Sequence, residues 1–159
     1  MKTIPIVLEN RKCDGCTKCC EGWLSGISYG YEFFRGRKCF FLAEKSCSIY
    51  LDRPEDPCKK FNCAWLIDNR IPFWMKPNKI NAIVKIIKLL DIEYIELIEA
   101  GDKLDVEVLS WFVQEYANGK WNTIVYTIEN ETNFITKNNE WERIKSYQSH
   151  LNTNMRKNV

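Results

Sequence analysis

Eight cysteines lie between residues 13 and 63, and none follows: Cys13, Cys16, Cys19, Cys20, Cys39, Cys47, Cys58 and Cys63. The first four read C-D-G-C-T-K-C-C. A C-x2-C spacing is the shortest common one that lets two sulfurs reach a single ion, because the intervening turn also aims amide N–H groups at the thiolates. Cys13, Cys16 and Cys19 supply two such spacings that overlap. The single histidine, His150, sits in a polar C-terminal stretch, so the donor set is sulfur alone. Sulfur donors favour zinc or an iron–sulfur cluster and argue against calcium, magnesium or a non-haem iron facial triad. In a reducing compartment, clustered cysteines are more often metal ligands or redox groups than disulfides.

The adjacent pair Cys19-Cys20 adds a constraint. Neighbouring side chains point to opposite faces of a strand and about 100° apart on a helix, so two neighbours serve one tetrahedral ion badly. The pair therefore indicates two metal positions, or one cluster beside a free thiol. Eight sulfurs divide naturally into two sets of four, but their spacing leaves the division open. C-x2-C-x2-C also matches the first three ligands of bacterial ferredoxins, without the C-x3-C-P continuation, so a fourth ligand has to come from Cys39 to Cys63.

The order of elements carries a resemblance. C-x2-C-x2-C-C (Cys13–Cys20), C-x-F-L (Cys39–Leu42), C-x-I-Y-x-x-R-P (Cys47–Pro54) and C-x-x-F-x-C-x-W (Cys58–Trp65) are similar to the CxxCxxCC family of zinc- or iron-chelating proteins, the YkgJ-type cysteine-cluster family. All eight family cysteines have a counterpart, and the likeness covers about residues 13–85, with Lys59 where an arginine is expected. The resemblance implies a bound metal or iron–sulfur cluster. It also brings Tyr50, Arg53 and Pro54 into the motif, with Arg53 either fixing the loop, the more expected role, or hydrogen-bonding a cluster sulfur. Some larger relatives are associated with flagellin lysine methylation. No glycine-rich methyl-donor loop is present in this chain, so that activity does not carry over.

The cysteines have to be held by a turn-rich segment with little regular structure. Thr3 to Leu8 reads as an edge strand, Ile27–Tyr29 as a short strand, and Cys39–Leu42 as a short buried strand pairing with Ser46–Tyr50. The aromatics between Trp23 and Phe34 are expected to cover the sulfur site or fill the core. After Trp65 the pattern changes. Residues 80–87 and 91–98 read as two strands joined by a tight turn, and 104–116 carries a helical stripe that ends at Asn118-Gly119. Residues 122–128 form a β-branched strand, 133–147 a further strand and short helix, and the polar tail from Ser149 is expected to fray. The expected fold is α+β: an irregular cysteine-rich metal-binding region over 1–79, then an antiparallel β hairpin or sheet with one or two helices over 80–148, and a tail over 149–159.

Charge and hydropathy narrow the function. The formal net charge of +2 gives nucleic-acid or anionic-membrane binding no push. It is uneven, at +5 over residues 1–80 and −3 over 81–159, so the lysines and arginines around the cysteines could be counter-charge for thiolates. The N-terminal apolar run is too short for a signal-peptide core, and no stretch approaches the about 18 uncharged apolar residues of a membrane span. The expected setting is cytoplasmic. No acid–base or nucleophile constellation marks an enzyme, so any catalysis would depend on the metal or cluster. Two readings lead: an iron–sulfur protein with a redox or cluster-linked role, and a structural zinc module that binds a protein or nucleic-acid partner.

Overall fold

The β-branched and aliphatic run after Asn81 forms the frame on which everything else packs. In the computed structural model, which describes residues 7–101, 103–129 and 131–157, strands β3 (Ala82–Leu89) and β4 (Ile92–Glu99) make an antiparallel hairpin. Helix α3 (Val106–Ala117) then crosses over to β5 (Thr123–Ile128), which lies parallel to β4, and β6 (Glu131–Thr136) returns antiparallel to β5. The sheet order is β3-β4-β5-β6. The fold is α+β, and its sheet is mixed rather than antiparallel throughout. A helix between two strands gives the chain the length a parallel return requires, which a tight turn cannot do.

Adjacent residues of β4 face opposite sides. Ile95 and Leu97 share a core with Val84, Ile124, Val108 and Phe112 of α3, and Trp65 and Leu66 of α1 (Ala64–Ile67). Ile92 and Tyr94 join Val125 and meet Ile144 of α4 (Glu140–Lys157). The stretch from Ser149, expected to fray, continues α4 through Lys157. A short helix is expected only as far as Tyr147; beyond it the helix runs on through a polar stretch with no apolar stripe to announce it. The side chain of Asp105 caps α3 by accepting from the Glu107 N–H at 2.9 Å. Gly119 closes it by donating to the Tyr116 carbonyl at 3.0 Å.

Before the sheet the chain is mostly turns. Strands β1 (Gly26–Ser28) and β2 (Tyr31–Phe33) form a small hairpin about Tyr29-Gly30. The pair expected at Cys39–Leu42 and Ser46–Tyr50 is reduced to a single bridge between Leu42 and Cys47, closed by an Ala43 N–H to Ser46 carbonyl bond of 2.8 Å. It is also not a buried strand: Phe40 is 65% exposed and stacks on Tyr31 with ring centroids 4.2 Å apart. With no sheet beside it, the segment bonds to its own turn and, through the Cys39 N–H, to the Cys20 carbonyl. The strand expected over Thr3–Leu8 lies largely outside the described residues. Leu8 donates to the Leu66 carbonyl at 2.9 Å. Between β3 and β4, Leu90 takes a φ of +56° and is 78% exposed. A branched side chain is strained there, so Leu90→Asn is expected to raise the unfolding free energy by about 0.5–1 kcal/mol in urea melts. A loss of stability instead would show that Leu90 makes a contact worth more than the strain.

Candidate metal centre

The first knuckle is a tight turn in which the Cys16 N–H donates to the Cys13 carbonyl at 2.8 Å, with Gly15 at a φ of +68°. Lys76 Nζ donates to the Asp14 carbonyl at 2.6 Å and Asn78 Nδ2 to the Gly15 carbonyl at 3.0 Å, which pins the knuckle to the start of α2 (Pro77–Ile80). Cys19 and Cys20 open a wide helical turn (Cys19–Trp23). Glu21 steadies it by accepting from Thr17 Oγ1 at 2.7 Å and Lys18 Nζ at 3.4 Å. Gly22 lies at a φ of +93°, and a Cβ there would run into the backbone carbonyl oxygen of Phe34 and meet that of Arg37 at 2.9 Å.

The remaining sulfurs are brought in from three segments. Cys39 donates its N–H to the Cys20 carbonyl at 2.8 Å, and Leu42, one side of the bridge to Cys47, donates to the Cys39 carbonyl at 3.1 Å. Cys58 sits in the turn Glu55–Lys59, whose Pro57 lies against Gly26 of β1. Cys63 immediately precedes α1, and its carbonyl accepts from the Leu66 N–H at 3.0 Å. Cys39 and Cys63 are buried, the other six are partly buried, and none is in a disulfide.

All eight cysteines expected as ligands line one cavity of about 680 Å³. Arg53, Tyr50 and Lys85 share its wall. Arg53 lays its guanidinium 4.0 Å from the Tyr50 ring centroid, and its buried Nε has no hydrogen-bond partner among the described residues. That orphan donor, in a wall that also carries eight thiols, suits a ligand rich in electron pairs. The donor set therefore fits a soft or borderline metal in type and charge. Spacing is another matter. Among the described residues, no three histidine, cysteine or acidic side chains are gathered closely enough to hold an ion. Closing on a metal would require the turns that carry the sulfurs to move inwards, a local ordering of the kind that metal binding commonly drives.

The thiols shift one another's protonation. Burial pushes the Cys19 thiol well up, and Cys63 and Cys16 add to the rise. Burial lifts Cys20 to about 12, reinforced by Cys39 and Cys47. Cys63 also rises to about 12, chiefly through burial and then partly offset by the Leu66 N–H. Cys13 is raised by burial and Cys16, and Cys58 by burial and Cys39. In the thiol form, the folded chain thus keeps protons that an unfolded chain with an ordinary value of 9.0 has released. Stability held below pH 9.0 is expected to fall as pH rises towards 12. Thermal melts of the reduced, chelator-treated chain would show a declining Tm across that window, less steep in Cys63→Ala. A Tm that Cys63→Ala leaves with the same slope would mean the thiol is not buried.

Sequence reasoning passed over Arg11, although it fixes the approach to Cys13. The side chain is 6% exposed. Nη1 donates to the carbonyls of Trp65 at 2.6 Å and Asp68 at 3.2 Å, and Nη2 to that of Ile71 at 2.8 Å. Arg11 thereby clamps the segment entering Cys13 against the helix that follows Cys63. Its only sequence signal was an arginine two residues before a cysteine. Arg35 is a second fastener: it forms a 2.9 Å ion pair with Glu99 of β4, which is 2% exposed, and covers Trp23.

Compared with known proteins, the chain matches no family model, no curated protein sequence and no solved structure. No helix among the described residues is long and apolar enough to cross a membrane.

Proposed function

We propose that this chain is a metal-binding cysteine-cluster protein carrying an iron–sulfur cluster through residues between Cys13 and Cys63, in a redox or cluster-linked role. The observation that carries the reading is the convergence of all eight cysteines, and no histidine, on one cavity without a disulfide. The basic side chains at the wall, Arg53 and Lys85 among them, offset the negative charge that thiolate donors bring. Bound iron and sulfide would supply electron transfer or cluster delivery; the chain itself supplies the sulfurs, their counter-charge and partial shielding from water. A reducing, cytoplasmic setting suits thiols kept free. The resemblance to the CxxCxxCC family points to the same chemistry.

A zinc-stabilised interaction module is the second reading, favoured by one observation. Tyr29, Tyr31 and Phe40 stand exposed around Phe41 on the cysteine-rich half, a surface suited to a protein partner. Metal and acid-labile sulfide analysis with a visible spectrum, on protein purified without oxygen, separates the two. A brown protein with iron and sulfide is the expected result. A colourless protein with zinc would sink the iron–sulfur reading, and one with neither metal would sink both.

A further inference from the structure

We propose, building on the metal-binding reading, that the eight sulfurs form two separate four-sulfur sites, Cys13/Cys16/Cys19/Cys63 and Cys20/Cys39/Cys47/Cys58. The boundary between them runs through the bond joining Cys19 to Cys20.

The first set is assembled by contacts to the sheet side of the molecule. Cys13 and Cys16 share one hydrogen-bonded turn. Arg11 ties the chain entering that turn to the carbonyls of Trp65, Asp68 and Ile71, all just beyond Cys63. Cys63 is a member of the main hydrophobic core, and Cys13 and Cys19 pack against that same core. The second set is assembled by a different group of bonds. Cys20 and Cys39 are joined through backbone, Cys39 leads through Leu42 to Cys47, and Cys58 follows Pro57, which lies against Gly26 of the small hairpin. None of Cys20, Cys39, Cys47 and Cys58 belongs to the main core or packs on it.

Cys19 and Cys20 are neighbours on the wide helical turn Cys19–Trp23, so their side chains diverge. Cys19 packs against the main core and Cys20 does not.

The test is metal content and cysteine protection on the full chain, reduced and purified without oxygen. Each single variant, Cys16→Ser or Cys39→Ser, is expected to keep half the parent's metal. The pair within one set, Cys16→Ser with Cys63→Ser, should also keep half, whereas Cys16→Ser with Cys39→Ser should keep none. Alkylation and peptide mapping of the half-loaded Cys39→Ser chain should find Cys13, Cys16, Cys19 and Cys63 protected. Where a variant fails to fold, the parent decides alone: graded chelation should expose its thiols to alkylation in these two blocks. A parent that binds metal but loses protection in one step, or in blocks that mix the sets, overturns the division and leaves the metal reading standing. A parent that binds no metal overturns both.

Discussion

Arg11→Ala is expected to lower the unfolding free energy by about 3–4 kcal/mol, although the residue lies outside the cysteine motif. The substitution strips three carbonyl acceptors of their charged donor, two of them from Trp65 and Ile71, in bonds that are buried. Leaving a buried acceptor unsatisfied costs about 1–3 kcal/mol each, and water entering the vacated space recovers part of that. Arg11→Lys should recover little, because a single ammonium cannot reproduce the fork that spans carbonyls from residues 65 to 71. Guanidinium unfolding of the reduced chain measures the loss. A change below about 1 kcal/mol would mean that the carbonyls find other donors and that the segment before Cys13 is held by something else.

Gly22→Ala is the second severe substitution. At a φ of +93° an L-residue already costs about 1–2 kcal/mol. The new methyl also meets two backbone carbonyl oxygens, those of Phe34 and Arg37, neither of which can swing aside as a side chain would. Overpacking of that kind adds about 1–3 kcal/mol, so a total of about 2–5 kcal/mol is expected. Gly36→Ala is the control. It has a similar φ of +92° but open space around the added carbon, and should show the backbone cost alone. If both variants melt alike, the approach of Gly22 to the Phe34–Arg37 turn is looser than described. If Gly22→Ala is the worse, the turn that presents Cys19 and Cys20 depends on that approach.

The back half was legible because its residues obey short-range rules. Ile92 to Ile98 alternates well enough to read as a half-buried strand, and the stripe from Leu104 to Tyr116 with Asn118-Gly119 after it reads as a helix. Pairing direction was not legible. Nothing in the sequence of β5 says that it lies parallel to β4, since that follows from where α3 docks its Phe112. In the front half the cysteine spacing singled out the eight residues expected as ligands, and all eight line one cavity. The residues that shape the cavity gave no signal. Arg11 and Arg35 work through partners 54 or more residues away, Trp65 and Glu99, so no local pattern could reveal them. Phe40 misled for the opposite reason: an apolar run reads as buried, yet with no sheet alongside, its ring stacks on Tyr31 in the open.

The order of burial along the chain bears on how the protein is made. Cys63 shares its core with Ile83, Leu97 and Ile124, and Arg35 waits for Glu99. A ribosome delivers every thiol before it delivers any of those strands. Until β3, β4 and β5 emerge, Cys63 has no core to pack into, whereas Cys20, Cys39, Cys47 and Cys58 do not pack on that core. Burial of Cys63 is therefore a late event that waits on residue 124. A chain stalled before that point would leave the Cys63 thiol open to oxidants.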